Sequence, residues 1–246
     1  MVSRMPAPAF SLPSPQTGTT YPIHVHAPDP SVGAVPAVLF MDGDDQFPAA
    51  VEAYRAGRTA GDFPPLLLAG VGYGASYTRP GNRRVRDYTP TRLATEPESG
   101  GADAFLAFLA DTLWPELTRR YAIAPGHAGI AGHSLGSLVA VHALFRPRPF
   151  FDRVLASAPS LWWDERAVLG SVAARQRAGS PLRARLHLSA GAEDTESMAT
   201  DLALLERQLA ATPLPELVVI SARFAGRDHY NVLPDAFRAG LRALYA

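Results

Sequence analysis

The chain has 246 residues, 47% of them hydrophobic, with 23 basic residues balanced by 23 acidic ones. That length and apolar content suffice for one sizeable core, and a formal charge of zero supplies no field to gather nucleic acid or an anionic membrane. No cysteine occurs, which removes disulfides, thiol nucleophiles and thiolate metal sites from consideration.

Residues 1–16 are rich in proline and serine and hold no apolar stretch of signal-peptide length. They read as a flexible N-terminal leader before a single catalytic domain at 17–246. No run approaches the roughly 18 apolar residues of a membrane span, so the expectation is a cytoplasmic protein without a membrane partner. Residues 21–26 alternate and predict an antiparallel edge strand. Apolar runs at 35–41, 66–71, 128–131, 154–157, 186–190 and 217–220 predict buried strands. Between them, residues 102–121 place Phe105, Leu106, Leu109, Leu113 and Leu117 at helical spacing, and further helices are expected at 138–144, 167–177, 198–211 and 236–244. Alternating strands and helices predict a mostly parallel sheet covered on both faces, with ligands at the carboxyl ends of its strands. Residues 72–100 exceed ordinary loop lengths and read as a functional surface loop over that edge.

Gly132-His133-Ser134-Leu135-Gly136 is the most informative stretch. Gly-x-Ser-x-Gly alone is a weak signal. Between a predicted strand and a predicted helix, however, it is the context of a nucleophile elbow, a turn so tight that glycines must flank the serine. A serine hydroxyl is a poor nucleophile near neutral pH and needs a base, itself oriented by an acid. His229 falls after the last predicted strand and before the final helix, the position expected for the base. Asp194, directly after the strand at 186–190, is the acid, with Glu193 its rival, Glu196 behind it, and Asp164 an outside alternative. His133 is expected to point away from the serine, and His127, His142 and His187 read as structural. His24 and His26 share a strand face, but with no acid or thiol partner nearby they predict packing rather than a metal site. For the oxyanion hole the candidates are the amides of Leu135 and Asp44, with Gly43 as alternative to Asp44. The acids at 42, 44 and 45 read as caps for a following helix rather than a cation site.

With these residues placed, the chain resembles the putative-esterase family of α/β-hydrolases, most nearly its bacterial siderophore (enterobactin-type trilactone) esterase-like branch. The similarity is carried by Phe40-Met41-Asp42-Gly43-Asp44, by Val71-Gly72-Tyr73, by the arginine-bearing run from Arg83 to Thr91, and by Gly100-Gly101-Ala102-Asp103-Ala104-Phe105-Leu106. The elbow adds to it, as do Ser157-Ala158-Pro159-Ser160-Leu161-Trp162-Trp163-Asp164 and Gly226-Arg227-Asp228-His229 with Asn231-Val232-Leu233-Pro234, so that it spans residue 35 to the C-terminus. Ser137 stands where a third elbow glycine is usual. The resemblance implies an α/β-hydrolase fold with no large separate cap domain. It also implies cofactor-free hydrolysis of a small-molecule carboxylic ester, with Ser134 and His229 essential and the acid variable in position. The arginines Arg83, Arg84 and Arg86, with Trp162, are expected to border the pocket and to bind an anionic, aromatic-rich ester such as a ferric catecholate lactone. Against this stands a solvated arginine loop over core tryptophans. An acyltransferase on the same scaffold and a non-catalytic binding protein are the competing functions.

Overall fold

The computed structural model describes residues 7–246. Strands β1 (Phe10–Pro13), β2 (Thr20–His26), β3 (Ala37–Phe40), β4 (Leu67–Val71), β5 (Gly129–His133), β6 (Arg153–Ser157), β7 (Ala184–Gly191) and β8 (Leu217–Phe224) form one sheet. Their order is β1-β2-β4-β3-β5-β6-β7-β8. From β4 to β8 every neighbouring pair is parallel, whereas β1 and β2 join antiparallel. The interior strands are apolar on both sides, as a sheet covered on both faces requires. This is the α/β-hydrolase fold, and among the described residues no separate cap stands over it.

One correction concerns the N-terminus. Part of the expected leader is an edge strand, because Phe10 to Pro13 pair with residues 20–23 of β2. This moves β2 one place inward from the edge. The first six residues of that leader lie outside the described residues.

The helices are α1 (Phe47–Ala60), α2 (Arg84–Tyr88), α3 (Ala102–Phe108), α4 (Trp114–Arg120), α5 (Leu135–Phe145), α6 (Trp163–Ala178), α7 (Glu196–Ala211) and α8 (Leu233–Tyr245). On one face α1 and α8 bury Phe47, Tyr54, Phe237 and Leu241 against Phe40, Leu68 and Leu155. On the other, α3, α5, α6 and α7 pack over the alternate side chains of the same strands. Helix α5 is apolar around nearly its whole circumference, so it is buried on all sides. The single helix expected over 102–121 is two, α3 and α4, joined by the π turn Leu109–Leu113. Pro115 has no N–H to give the carbonyl of residue 111, which shifts the hydrogen-bond register there. No helix among the described residues is long and apolar enough to cross a membrane.

Candidate active site

The carboxyl ends of β3, β5, β6, β7 and β8 converge on one edge of the sheet, where loop-borne groups can meet. Ser134 sits between β5 and α5 at φ 57° and ψ −121°, a conformation that L residues rarely adopt. The flanking glycines fit the turn: a Cβ on Gly132 would overlap the backbone of Gly136, and one on Gly136 would crowd the Met41 side chain at 3.0 Å. Ser137, in place of a third glycine, ties the elbow down. Its hydroxyl lies 2.7 Å from the Gly132 carbonyl oxygen and 2.6 Å from that of Ser157.

Asp194 and His229 meet. Nδ1 of His229 lies 3.2 Å from Oδ2 of Asp194, whose side chain is 0% exposed. Their loops touch through the backbone as well: the Glu193 N–H donates to the Arg227 carbonyl at 2.9 Å, and a Cβ on Gly191 would overlap that same carbonyl. Glu193 is exposed, and neither it, Glu196 nor Asp164 hydrogen-bonds to His229. Ser134 and His229 line one cavity of about 290 Å³ together with Gln46, Tyr77, Arg84, His133, Tyr230 and Leu233. The Ser134 hydroxyl makes its hydrogen bond to the Ser160 hydroxyl, at 3.2 Å, rather than to His229.

His133 departs from expectation. Its ring centroid lies 4.5 Å from that of His229, and it borders the cavity. Burial, reinforced by the neighbouring His229 and Arg84, lowers its pKa to about 3, so at neutral pH it is an uncharged wall against the other imidazole. The sequence offered no sign of this, because the variable elbow residue carries no pattern.

The acids after β3 are not helix caps. Gln46 occupies the N-cap of α1 and makes no side-chain cap bond. Asp42, Asp44 and Asp45 instead tie the 72–100 segment to the β3 loop. Asp44 accepts from the N–H groups of Tyr73 and Gly74, and Asp45 accepts from the Ser76 O–H and the Tyr77 N–H. Arg84 grips the fully buried Asp42 with two bonds of 2.9 and 3.0 Å, while the Asp42 N–H donates to the Tyr88 hydroxyl. Burial raises the Asp42 carboxyl and Arg84 draws it back down, the arginine being itself held charged. Gly43 permits this approach, since a Cβ there would lie 2.8 Å from the backbone of β4. Gly43 also gives its N–H to Val71, which removes it as an oxyanion donor. Among the described residues the amides of Asp44 and Leu135 have no protein acceptor.

The arginines separate. Only Arg84 lines the cavity, stacked 4.6 Å from the centroid of Tyr77. Arg83 pairs with Glu98 at the surface. Arg86 is turned away, donating to Asp87, the Thr17 carbonyl, Thr19 and Tyr21, so its expected role at the pocket is withdrawn. Trp162 is 47% exposed outside the cavity lining, whereas Trp163 is buried with its indole N–H on Thr91. Among the described residues no cluster of His, Asp or Glu could hold a metal ion; His26 packs against Tyr54.

A sequence model of the family described as "Putative esterase" matches residues 14–240. The chain belongs to that family. Among curated relatives of this chain, the siderophore triacetylfusarinine C esterase of Aspergillus fumigatus is 32% identical over 155 residues, covering 61% of this chain and 52% of the relative. The ferri-bacillibactin esterase BesA of Bacillus subtilis is 27% identical over 243 residues, covering 91% of this chain and 84% of the relative. The chain spans about half the length of the fungal relatives it matches. Among solved structures, the BES protein of Bacillus cereus superposes with a TM-score of 0.86 at 26% identity, covering 100% of this chain and 99% of the other.

Proposed function

We propose that this chain is a serine carboxylic-ester hydrolase. The observation that carries the reading is that His229, held from behind by the buried side chain of Asp194, lines one cavity together with Ser134. Asp194 fixes the imidazole tautomer by accepting the Nδ1 proton, which leaves Nε2 as the base. Ser134 Oγ turns from Ser160 towards Nε2, loses its proton and attacks the ester carbonyl. Hydrogen bonds of this kind are often unmade in free enzymes and form with substrate. The amides of Leu135 and Asp44 receive the developing oxyanion, the alcohol departs with the proton from His229, and water then hydrolyses the acyl-enzyme.

The cavity constrains the substrate. About 290 Å³ is at the lower limit for small-molecule sites and accepts one acyl arm and its scissile ester. A ferric trilactone is larger, so its bulk must rest outside, on Tyr77, the 85% exposed Tyr230 and Trp162. Those rings suit aromatic arms. Arg84 adds little net charge because Asp42 balances it. The names of the relatives, esterases of siderophores, favour the same class.

The test is covalent labelling by a fluorophosphonate, followed by hydrolysis of p-nitrophenyl acetate and of a ferric triscatecholate lactone. Labelling at Ser134 that is lost in Ser134→Ala is expected, with turnover of both esters. An unlabelled Ser134 overturns the mechanism, and turnover of the acetate alone overturns the siderophore class.

A further inference from the structure

The hydroxyl nearest the proposed nucleophile belongs to Ser160, and the reaction outlined above gives it nothing to do. It is 3.2 Å from Ser134 Oγ, on a side chain that is almost wholly buried. Among the described residues, Ser134 is the only side chain to which it hydrogen-bonds.

Its position is built rather than incidental. The Ser160 N–H donates to the Ser134 carbonyl at 3.2 Å, and the Ser134 N–H donates to the Ser157 carbonyl at 3.0 Å, so loop and elbow are laced in both directions. Ala158, at φ 43°, is held there by a 2.7 Å bond from its N–H to the Ser189 carbonyl on β7. Further on, the Trp163 N–H donates to the Ser160 carbonyl, and the Trp163 indole is pinned to Thr91. The segment between β6 and α6 is thus fastened at both ends, and Ser160 is carried on it like a fixed group.

Resting on the reading of Ser134 as nucleophile, we infer that Ser160 is a second catalytic hydroxyl, which donates to Ser134 Oγ as that oxygen leaves the acyl group. In the free protein either hydroxyl can be the donor. Once Ser134 is acylated its oxygen has no proton, so the bond survives only with Ser160 donating. When water has added to the acyl carbonyl, with its proton on His229, the intermediate collapses by breaking the bond between Oγ and the acyl carbon. The bonding pair goes to Oγ, which takes the proton from His229, and the carboxylic acid is released. An ester oxygen is a weak acceptor, and the departing alkoxide is a strong one. The Ser160 bond therefore strengthens in this transition state relative to its ground state, which is the condition for accelerating a step. Acylation gains less, because the starting Ser134 hydroxyl already holds the Ser160 bond before it is deprotonated.

The test is stopped-flow hydrolysis of p-nitrophenyl acetate by Ser160→Ala and Ser160→Thr, with thermal unfolding to verify folding. For Ser160→Ala we expect an acylation rate within about twofold of the unsubstituted protein and a deacylation rate roughly tenfold lower, the worth of one hydrogen bond to a charged oxygen. The burst then approaches one nitrophenolate per chain, and the acetyl-enzyme accumulates in the mass spectrum at Ser134. Ser160→Thr, which keeps the hydroxyl, restores deacylation. Parallel losses in both steps, or no change in either, overturn the inference while leaving Ser134 in its role. Failure of the unsubstituted protein to label at Ser134 overturns both.

Discussion

Arg84 offers a sharp test because its guanidinium already serves Asp42. Both bonds are direct, the carboxylate has no exposed surface, and the arginine is largely covered. In Arg84→Met the Asp42 carboxyl has lost its only cationic partner among the described residues and must be buried as an anion or take up a proton. Protonation sets the ceiling: from an ordinary aspartate value of 3.9, neutralising the group at pH 7 costs about 4 kcal/mol, and at pH 5 about 1.5 kcal/mol. The sign follows from proton counts. In the variant the folded state holds a proton that the unfolded state releases above pH 4, so its stability falls as pH rises. The expected deficit at pH 7 is therefore 3–4 kcal/mol, a loss of roughly 10 °C in Tm for a chain of this size, and it shrinks on acidification to pH 5. Urea unfolding of both proteins at the two pH values measures it. Asp42→Asn in the same chain removes the stranded acid and recovers part of the loss, which makes the two substitutions strongly non-additive. A deficit below 1 kcal/mol at pH 7, or one that does not shrink at pH 5, would refute the account of Arg84 as the buried partner that holds the β3 loop.

Asp194→Asn, which offers an amide where the imidazole needs an acceptor, is expected to lower kcat by roughly a thousandfold to ten-thousandfold, whereas Glu193→Gln stays within about twofold; steady-state hydrolysis of p-nitrophenyl acetate separates them. Arg86→Ala is expected to lower Tm and leave KM for an anionic ester unchanged, because its bonds go to Asp87 and the residue 17–21 turn; a raised KM at unchanged Tm contradicts this. His187 is buried with Nδ1 unpartnered among the described residues, and burial lowers its pKa to about 4. The folded state resists a proton that the unfolded chain accepts below about 6.5, so stability drains away as pH falls from there towards 4, by up to about 3 kcal/mol. His187→Leu should flatten that acid limb in a Tm–pH series, and an unchanged slope argues against it.

The sequence carried the strands well, because a parallel sheet covered on both faces writes itself as apolar runs, and the residues proposed as nucleophile, acid and base follow three of them. Long-range polar pairing was not legible. Nothing in residues 42–45 says that each acid will reach 30 or 40 positions along the chain to bind the 72–100 segment, rather than cap the helix beside it. Three arginines within four positions likewise look alike in sequence. Only the short helix α2 sends Arg84 into the cavity and Arg86 behind it. Strand β1 was missed because four residues containing a proline, half-exposed at a sheet edge, show too little periodicity to stand out from a leader.

The contact between Gly191 and the Arg227 carbonyl has a practical corollary. The proposed acid and base ride on turns locked together, while Tyr77 and Arg84 on the cavity's other wall belong to a stretch that supplies no member of the proposed Ser-His-Asp set. On the proposed mechanism, the wall formed by Tyr77 and Arg84 can therefore vary without touching the nucleophile, acid or base, although Tyr230 stays with the base. Swapping residues 72–100 for the equivalent stretch of a relative, with the three β3-loop acids kept as anchor points, is thus the economical route to altered selectivity on an unchanged catalytic engine.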